Sequence, residues 1–270
     1  MDQSPHPLSQ NYYSQRLRLH YVEWENDGAP PILMVHGGMD HCRNWDWAAR
    51  ALSEHYAIIA PDLRGHGDSE WSAGGTYREL DFVYDIEQLV RLRGFDKITI
   101  VGHSFGGFVS LIYAGLNPDI VDKMIIIEGL VRSVEDFNTR LAEPTHQRIK
   151  RWMEGIHKVS SRHPKRYRTF AEALDRMRSE NSHLNEQQAT HLTRHALKQN
   201  EDGSPSWTRN TSTSSASGNE SAARYCCCAA KTPGRMIRRK TDGSSCSRMR
   251  VWSTFPMRDT GCITTNWRSS

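Results

Sequence analysis

Four short apolar runs, separated by segments with helical spacing, constrain the fold of this chain most strongly. The runs are Ile32–Val35, Tyr56–Ala60, Ile98–Val101 and Met124–Ile127. Continuous apolar runs of this length suit strands that are buried on both faces of a mainly parallel sheet. The intervening segments predict helices over 46–54, 77–93 and 105–115. Because strand and helix alternate, the sequence predicts βαβ units and a doubly wound, mostly parallel α/β fold.

The first residues of the chain predict a different element and also bear on location. Residues 16–26 alternate apolar and polar side chains, which predicts two short antiparallel strands. The N-terminal 15 residues are polar and lack the basic and then apolar layout of a secretory signal. No apolar run approaches the roughly 20 residues that span a bilayer. We therefore expect a cytoplasmic protein without a membrane span.

A G-x-S-x-G motif follows the third apolar run and precedes a predicted helix. It reads Gly102-His103-Ser104-Phe105-Gly106. In this context the motif predicts a sharp strand-to-helix turn that exposes the serine hydroxyl, so Ser104 is the predicted nucleophile. The side chain of His103 is expected to point away from the Ser104 hydroxyl and to pack.

A second glycine motif, His36-Gly37-Gly38, ends the first apolar run. Acyl transfer needs two preorganised N–H donors at the place where the oxyanion forms. The two motifs predict that the backbone N–H groups of Gly38 and Phe105 are these donors.

Residues 131–203 break the alternation and predict helices with charged faces. Thr169 with Glu172, and Asn185 with Gln188, have the spacing of helix capping boxes. We interpret this part as a helical lid that follows a core over residues 1–130. The alternative is that these helices extend the main layer.

Other candidate ligands have simpler interpretations. His191 and His195 are four residues apart on a predicted helix, a spacing that can bind a metal. No carboxylate motif accompanies them, so a solvated helix face is favoured. Cys42 is expected to be a partly buried small residue, and His66 to brace a neighbouring strand end. The sequence predicts no metal site and no cofactor.

The composition of residues 204–270 differs sharply from that of the preceding chain. This segment has no leucine, no histidine and five of the six cysteines, and its net charge is +8 against −4 for residues 1–203. A segment with one valine and two isoleucines cannot build a core. We therefore expect residues 204–270 to be a disordered tail.

Neither a metal nor a nucleic acid explains this tail. Three of its cysteines are contiguous at 226–228 and none forms a C-x-x-C pair, so a zinc site is not predicted. Its basic residues are scattered among Ser and Thr rather than clustered, which disfavours a nucleic-acid arm.

The motifs resemble a known family. The segments VHGGMDHCRNW, PDLRGHGDS and VGHSFGGFVSLIYAGLNPDIV closely resemble the α/β-hydrolase fold superfamily, and in particular its lid-bearing serine hydrolases. The resemblance covers about residues 15–130 and the lid only loosely. It implies hydrolysis of small carboxylic esters, or amides, through an acyl-enzyme on Ser104, with a small-molecule ester-like substrate.

Other activities of this superfamily remain as alternatives. Members that are epoxide hydrolases or haloalkane dehalogenases have an aspartate nucleophile, so Ser104 disfavours both chemistries. The remaining alternatives are a non-catalytic ligand-binding protein, and a C–C bond hydrolase or cofactor-free oxidative enzyme of the same superfamily.

The chain departs from this family after the lid. The resembled fold has two further strands there, the first followed by the acid and the second by the histidine of the triad. Here no histidine follows His195 and no apolar strand pattern follows Ile127. We therefore expect this chain to be inactive, with Glu128 as a weak candidate for the acid.

A frame slip accounts for the missing part. Tyr and Cys codons end in a pyrimidine, and Cys codons begin with TG. Read from one base earlier, Tyr225-Cys226-Cys227-Cys228 must encode Leu-Leu-Leu, and Asp259-Thr260 must encode His or Tyr. The codons of residues 255–267 also permit a Gly-His-Trp segment, which is how the resembled family presents its catalytic histidine. We hypothesise a one-base frame slip near residues 203–210.

Overall fold

The computed structural model describes residues 6–128, 138–139, 142–160, 166–199, 207–209 and 249–253. The strands are β1 (Leu8–Ser14), β2 (Leu17–Trp24), β3 (Pro31–Val35), β4 (Ala57–Pro61), β5 (Ile98–His103), β6 (Val121–Ile127), β7 (Arg166–Tyr167), β8 (Leu197–Gln199), β9 (Trp207–Arg209) and β10 (Met249–Ser253). The helices are α1 (Asp46–Leu52), α2 (Glu79–Arg93), α3 (Phe105–Leu116), α4 (Thr145–Ser160), α5 (Phe170–Glu180) and α6 (Glu186–Ala196), and a 3-10 turn over Cys42–Trp45 precedes α1. None of these helices is long and apolar enough to cross a bilayer.

The main sheet has seven strands in the order β1-β2-β4-β3-β5-β6-β10. The four strands from β3 to β6 are the four predicted apolar runs, and their neighbouring pairs are parallel. The chain runs from β3 to β4 on one side and then to β5 and β6 on the other. The predicted doubly wound, mostly parallel α/β fold is confirmed.

Both faces of the sheet are covered, which explains why the runs are continuously apolar. Leu33 and Val35 of β3 pack in the cluster that contains side chains from α2 and α3. Ile32 and Met34 of the same strand point to the opposite face, where they pack in the cluster that contains Ala49 of α1. Successive residues of a strand alternate between faces, so a strand covered on both sides is apolar at most of its positions.

The N-terminal hairpin is longer than the sequence predicts. The prediction placed two strands within 16–26, but Leu17–Trp24 is a single strand that pairs antiparallel with β1. In β1 only Tyr12 and Ser14 are buried, because β1 is the edge strand and its other side chains face solvent. A mostly polar edge strand has little apolar periodicity, and the prediction therefore missed it.

The predicted lid region contains α4, α5, α6 and the strands β7 and β8, which belong to a small sheet in the order β7-β9-β8. The Thr169 hydroxyl accepts a hydrogen bond from the Glu172 N–H at the start of α5. Asn185 and Gln188 form a complete capping box at the start of α6. Both predicted helix starts are confirmed, whereas the boundaries of the core, lid and tail stay predictions.

The described residues of the compositionally distinct segment 204–270 form two strands. β9 joins the small sheet, and β10 pairs antiparallel with β6 over Met249–Ser253. The sequence predicts no strand after Ile127, so β10 differs from that expectation. The edge of β6 offers unpaired N–H and C=O groups, and an extended segment can pair with them whatever its side chains. The prediction of disorder for the remainder of this segment lies outside the described residues.

Candidate active site

Ser104 lies at the turn between β5 and α3, as the motif predicts. Its backbone has φ 48° and ψ −115°. This left-handed φ costs a non-glycine residue about 1–3 kcal/mol and is characteristic of strained functional positions. The Ser104 N–H donates to the carbonyl oxygen of Ile127 at 2.8 Å, which holds the turn against the end of β6. Ser104 is half-buried and lies directly after the end of β5 rather than inside the core.

The two glycines of the motif allow α3 to pack closely on the sheet. A Cβ on Gly106 would overlap the carbonyl oxygens of Val35 and His36. A Cβ on Gly102 would lie 2.7 Å from Cα of Gly107. Any larger residue at either position would push the helix away from β3 and β5, and Ser104 with it.

The loop over residues 36–41, here called the HGG loop, lies beside Ser104. A Cβ on Gly37 would be 3.3 Å from Cβ of Ser104, and a Cβ on Gly38 would be 3.9 Å from Cβ of Phe105. The structure therefore brings Gly38, Ser104 and Phe105 together. The roles of these three residues in catalysis stay predictions.

His36 anchors the start of the HGG loop. Its Nδ1–H donates to the Gly37 carbonyl at 2.7 Å, and its Nε2 accepts from the Leu63 N–H at 3.0 Å. These bonds use both nitrogens of a neutral ring. Burial lowers the His36 pKa, which also favours the neutral form of the ring. His66 packs 5.3 Å from His36 between ring centroids and donates from Nδ1 to the Arg64 carbonyl. Burial lowers the pKa of His66 to about 4, and its predicted bracing role beyond β4 is confirmed.

His103 packs against Gly37, and Glu128 lies near His103. The His103 ring is buried, and a Cβ on Gly37 would come within 2.8 Å of its Nδ1. Its Nε2 is 3.9 Å from the Glu128 carboxylate, which directly follows β6 and is one-third exposed. The ring therefore packs under the HGG loop, as predicted. The role of Glu128 as the triad acid stays a prediction.

Asp62 organises a buried network behind the HGG loop. Its carboxylate accepts hydrogen bonds from His20 Nδ1 at 2.7 Å, from the Cys42 N–H at 2.7 Å and from the Asp68 N–H at 2.9 Å. Burial alone raises the Asp62 pKa, but the His20 hydrogen bond, the charges of His20 and His36 and the Asp68 N–H together outweigh burial and hold the pKa well below its usual range. Cys42 was predicted to be partly buried and is fully buried instead, because its backbone binds this carboxylate.

The groups of His20, Cys42 and Asp62 are close enough together to hold a metal ion. The same groups are already engaged with one another, and the Gly67 backbone packs so tightly on the Asp62 carboxylate that a Cβ there would overlap it. Burial also raises the pKa of the Cys42 thiol, which disfavours the thiolate that metals bind. The cluster is a packed hydrogen-bond network that supports the HGG loop.

The prediction that His191 and His195 form a solvated face is wrong. His191 Nε2 lies 3.1 Å from the Asp46 carboxylate, and its ring contacts Trp47 edge-on at 4.8 Å. The His195 ring lies 4.7 Å from the His191 ring. Histidine side chains are polar, so the sequence favours a solvated face. The fold instead turns this face towards α1.

Sequence reasoning missed one buried support of the site. The Arg64 guanidinium is fully buried and donates to both carboxylate oxygens of Asp85 at 2.7 Å. It also lies 5.8 Å from the Phe82 ring, which contacts Phe105 edge-on at 4.9 Å. This series of contacts fixes Phe105 from behind. The only sequence signal was an arginine within a glycine-rich loop, and nothing local identified Asp85 as its partner.

Known proteins share this fold and parts of this sequence. Serine hydrolase-like protein 2 of Homo sapiens is 31% identical over 169 residues, which are 61% of this chain and 52% of that protein. The soluble epoxide hydrolase of Corynebacterium sp. (strain C12) is 34% identical over 123 residues, 44% of this chain and 42% of that protein. The chain thus matches about half the length of these relatives.

Solved structures agree on the fold. The thioesterase domain from the curacin biosynthetic pathway superposes with a TM-score of 0.65 at 20% identity, covering 76% of this chain and 72% of that one. A family model described as alpha/beta hydrolase fold matches residues 30–226. With the strand order and the turn at Ser104, this match shows that the chain belongs to the α/β-hydrolase fold family.

Proposed function

We propose that the protein encoded by this gene is a serine hydrolase of small carboxylic esters or amides. The observation that carries the proposal is the strained backbone of Ser104, which lies at a strand-to-helix turn beside Gly38 and Phe105. A relative with serine hydrolase in its name supports the same class. The epoxide hydrolase relative is less informative, since an aspartate nucleophile is expected for that chemistry where this chain has Ser104.

In the proposed reaction the Ser104 hydroxyl oxygen attacks the substrate carbonyl carbon, and a base takes the hydroxyl proton. The carbonyl oxygen becomes an oxyanion that accepts hydrogen bonds from the N–H groups of Gly38 and Phe105. The alcohol or amine leaves with a proton returned by the base, and an acyl-enzyme forms on Ser104. Water then attacks the acyl carbon and releases the carboxylic acid.

The chain as given lacks the base that this sequence of steps requires. No histidine follows His195, and a serine without its base loses most of its rate. We propose that the frame slip near residues 203–210 removed the base and the acid. Sequencing the gene across these codons tests the slip, and stop codons in the shifted frame would rule it out.

A fluorophosphonate probe tests the activity, because it labels only an activated serine. We expect labelling of the frame-corrected chain at Ser104, and none of its Ser104→Ala variant. The chain as given should hydrolyse p-nitrophenyl acetate no faster than its own Ser104→Ala variant, and the corrected chain roughly 10⁴-fold faster or more.

Two results would contradict these expectations. A Ser104-dependent burst of product from the chain as given would mean that a base is present without the corrected tail. An unlabelled but folded corrected chain would overturn the hydrolase proposal and favour a non-catalytic ligand-binding protein.

A further inference from the structure

Helix α6 of the lid docks onto the core through three histidines, His41, His191 and His195, here called the histidine latch. His41 ends the HGG loop, and its Nε2–H donates across the interface to the Leu192 carbonyl at 3.2 Å. The His195 ring lies between the other two, with its centroid 6.3 Å from His41 and 4.7 Å from His191. The latch therefore joins the lid to the loop that contains Gly38.

The His41 side chain contributes a hydrogen bond of defined direction to the latch. The Leu192 carbonyl can only accept, so the His41 proton is on Nε2. Within the described part of the chain, Nδ1 of His41 is buried without a hydrogen-bond partner, and a second proton there would have no acceptor.

The charged groups around the latch act on His195 in both directions: the Arg43 cation opposes its protonation, and the Asp46 carboxylate favours it to a smaller extent. Arg43 lies in the 3-10 turn and donates to the Asp46 carboxylate from Nε at 2.9 Å and from Nη2 at 2.7 Å. His191 contacts the same carboxylate, so Asp46 is already engaged by two donors. Burial first, and then the Arg43 cation, lower the pKa of His195 to about 3.

The remaining charged groups near the latch have partners of their own. Asp40 accepts hydrogen bonds from the His41 N–H and from Asn44. Lys198, just beyond α6, pairs with Asp68 at 3.3 Å. Arg194 lies on the exposed face of α6. None of these groups places an additional negative charge against His195 that would offset its protonation.

We propose that the histidine latch holds α6 against the HGG loop while the His195 ring is neutral, and releases the helix when that ring becomes protonated. Release would free the end of the loop that contains Gly38, so that lid position and site geometry change together. The proposal concerns docking alone and does not depend on the chemistry of Ser104.

The direction of the pH dependence follows from proton linkage. Docking lowers the pKa of His195, so the undocked helix binds protons more readily than the docked one. Docking is therefore complete above the pKa of a free histidine and weakens as the pH falls. Between about pH 7.5 and about pH 5.5 the docking equilibrium constant should fall roughly tenfold for His195 alone.

Hydrogen exchange measured by mass spectrometry tests the latch on the full chain. Peptides covering α6 report docking, and peptides covering α3 report global unfolding, after correction for the intrinsic pH dependence of exchange. We expect α6 to lose about tenfold in protection at the lower pH while α3 keeps its protection. His195→Gln keeps a neutral polar side chain and should leave α6 protected at both pH values. His157→Gln, at an exposed position of α4, is the matched control and should behave like the parent.

Four outcomes would overturn the proposal. Protection of α6 could be equal at both pH values in the parent, or could fall equally in α6 and α3. The His195→Gln variant could lose protection at the lower pH as the parent does, so that another group is the sensor. It could also lack protection at both values, which would mean that the ring acts only through packing.

Discussion

At the scale of single residues, the position of Ser104 depends on neighbours that have no side chain. Gly106 is the second residue of α3, at the point where the helix packs against the carbonyl oxygens of Val35 and His36. The backbone of Gly106 is helical, so it is the close approach, and not its conformational freedom, that requires glycine here. Gly115, near the other end of α3, meets nothing within 4 Å.

These two positions give a matched pair of substitutions on one helix. Gly106→Ala should lower the free energy of unfolding by about 2–3 kcal/mol, because α3 must move away from β3. Gly115→Ala should raise it by about 0.5 kcal/mol, because alanine loses less backbone entropy on folding. Urea denaturation of both variants measures the two changes, and equal effects would contradict the close approach.

At the scale of elements, the N-terminal hairpin turns without glycine. Gln15 and Arg16 connect β1 to β2 with φ values of 48° and 67°. A two-residue turn with both φ values positive matches the twist of the strands, but asparagine and glycine are the residues that adopt it without strain. Gln15 is held by a hydrogen bond from Arg64 at 3.1 Å, whereas Arg16 is exposed.

The strain in this turn can be relieved at one residue. Arg16→Gly should raise the free energy of unfolding by about 0.5 kcal/mol, since glycine adopts a positive φ without a Cβ clash. Gly28→Ala is the converse control, because Gly28 has φ 77° in open space. It should lower the free energy of unfolding by about 1 kcal/mol through backbone strain alone. Thermal unfolding of both variants measures these changes in stability. A loss of stability in Arg16→Gly would contradict backbone strain at Arg16.

At the scale of the whole molecule, buried carboxylates couple folding to acid. Burial alone raises the Asp46 pKa, but hydrogen bonds from His191 and Arg43 outweigh it and lower the pKa to about 2. A carboxyl whose pKa falls on folding stabilises the protein above its unfolded value, and this contribution is lost as the pH falls through the folded value. For Asp46 the loss therefore lies between about pH 4 and about pH 2.

Asp46→Asn tests this contribution. The parent should lose about 1–2 kcal/mol more stability than the variant between about pH 5 and about pH 2. Asp119→Asn, an exposed carboxyl near β6, should leave the parent's pH dependence unchanged. Urea unfolding at several pH values gives both slopes, and parallel curves for the parent and Asp46→Asn would show that Asp46 does not contribute.

Features that depend on a few neighbouring residues could be predicted from the sequence. The four apolar runs predicted β3 to β6, because a strand covered on both faces needs apolar side chains at most of its positions. The G-x-S-x-G motif predicted the turn at Ser104, because its glycines are required where α3 packs closely on the sheet. The Asn185 capping box likewise marked the start of a helix that the structure has.

Contacts between distant parts of the chain became apparent only in the folded structure. It placed His41 on the carbonyl of Leu192, 151 residues further on, and it buried Arg64 on Asp85. It also turned His191 and His195 towards the core, and gave β6 an antiparallel neighbour from the segment that was expected to contain no strand. Local periodicity records which side chains must avoid water, but not which partner a buried polar group finds, because that partner is chosen by packing across the whole fold.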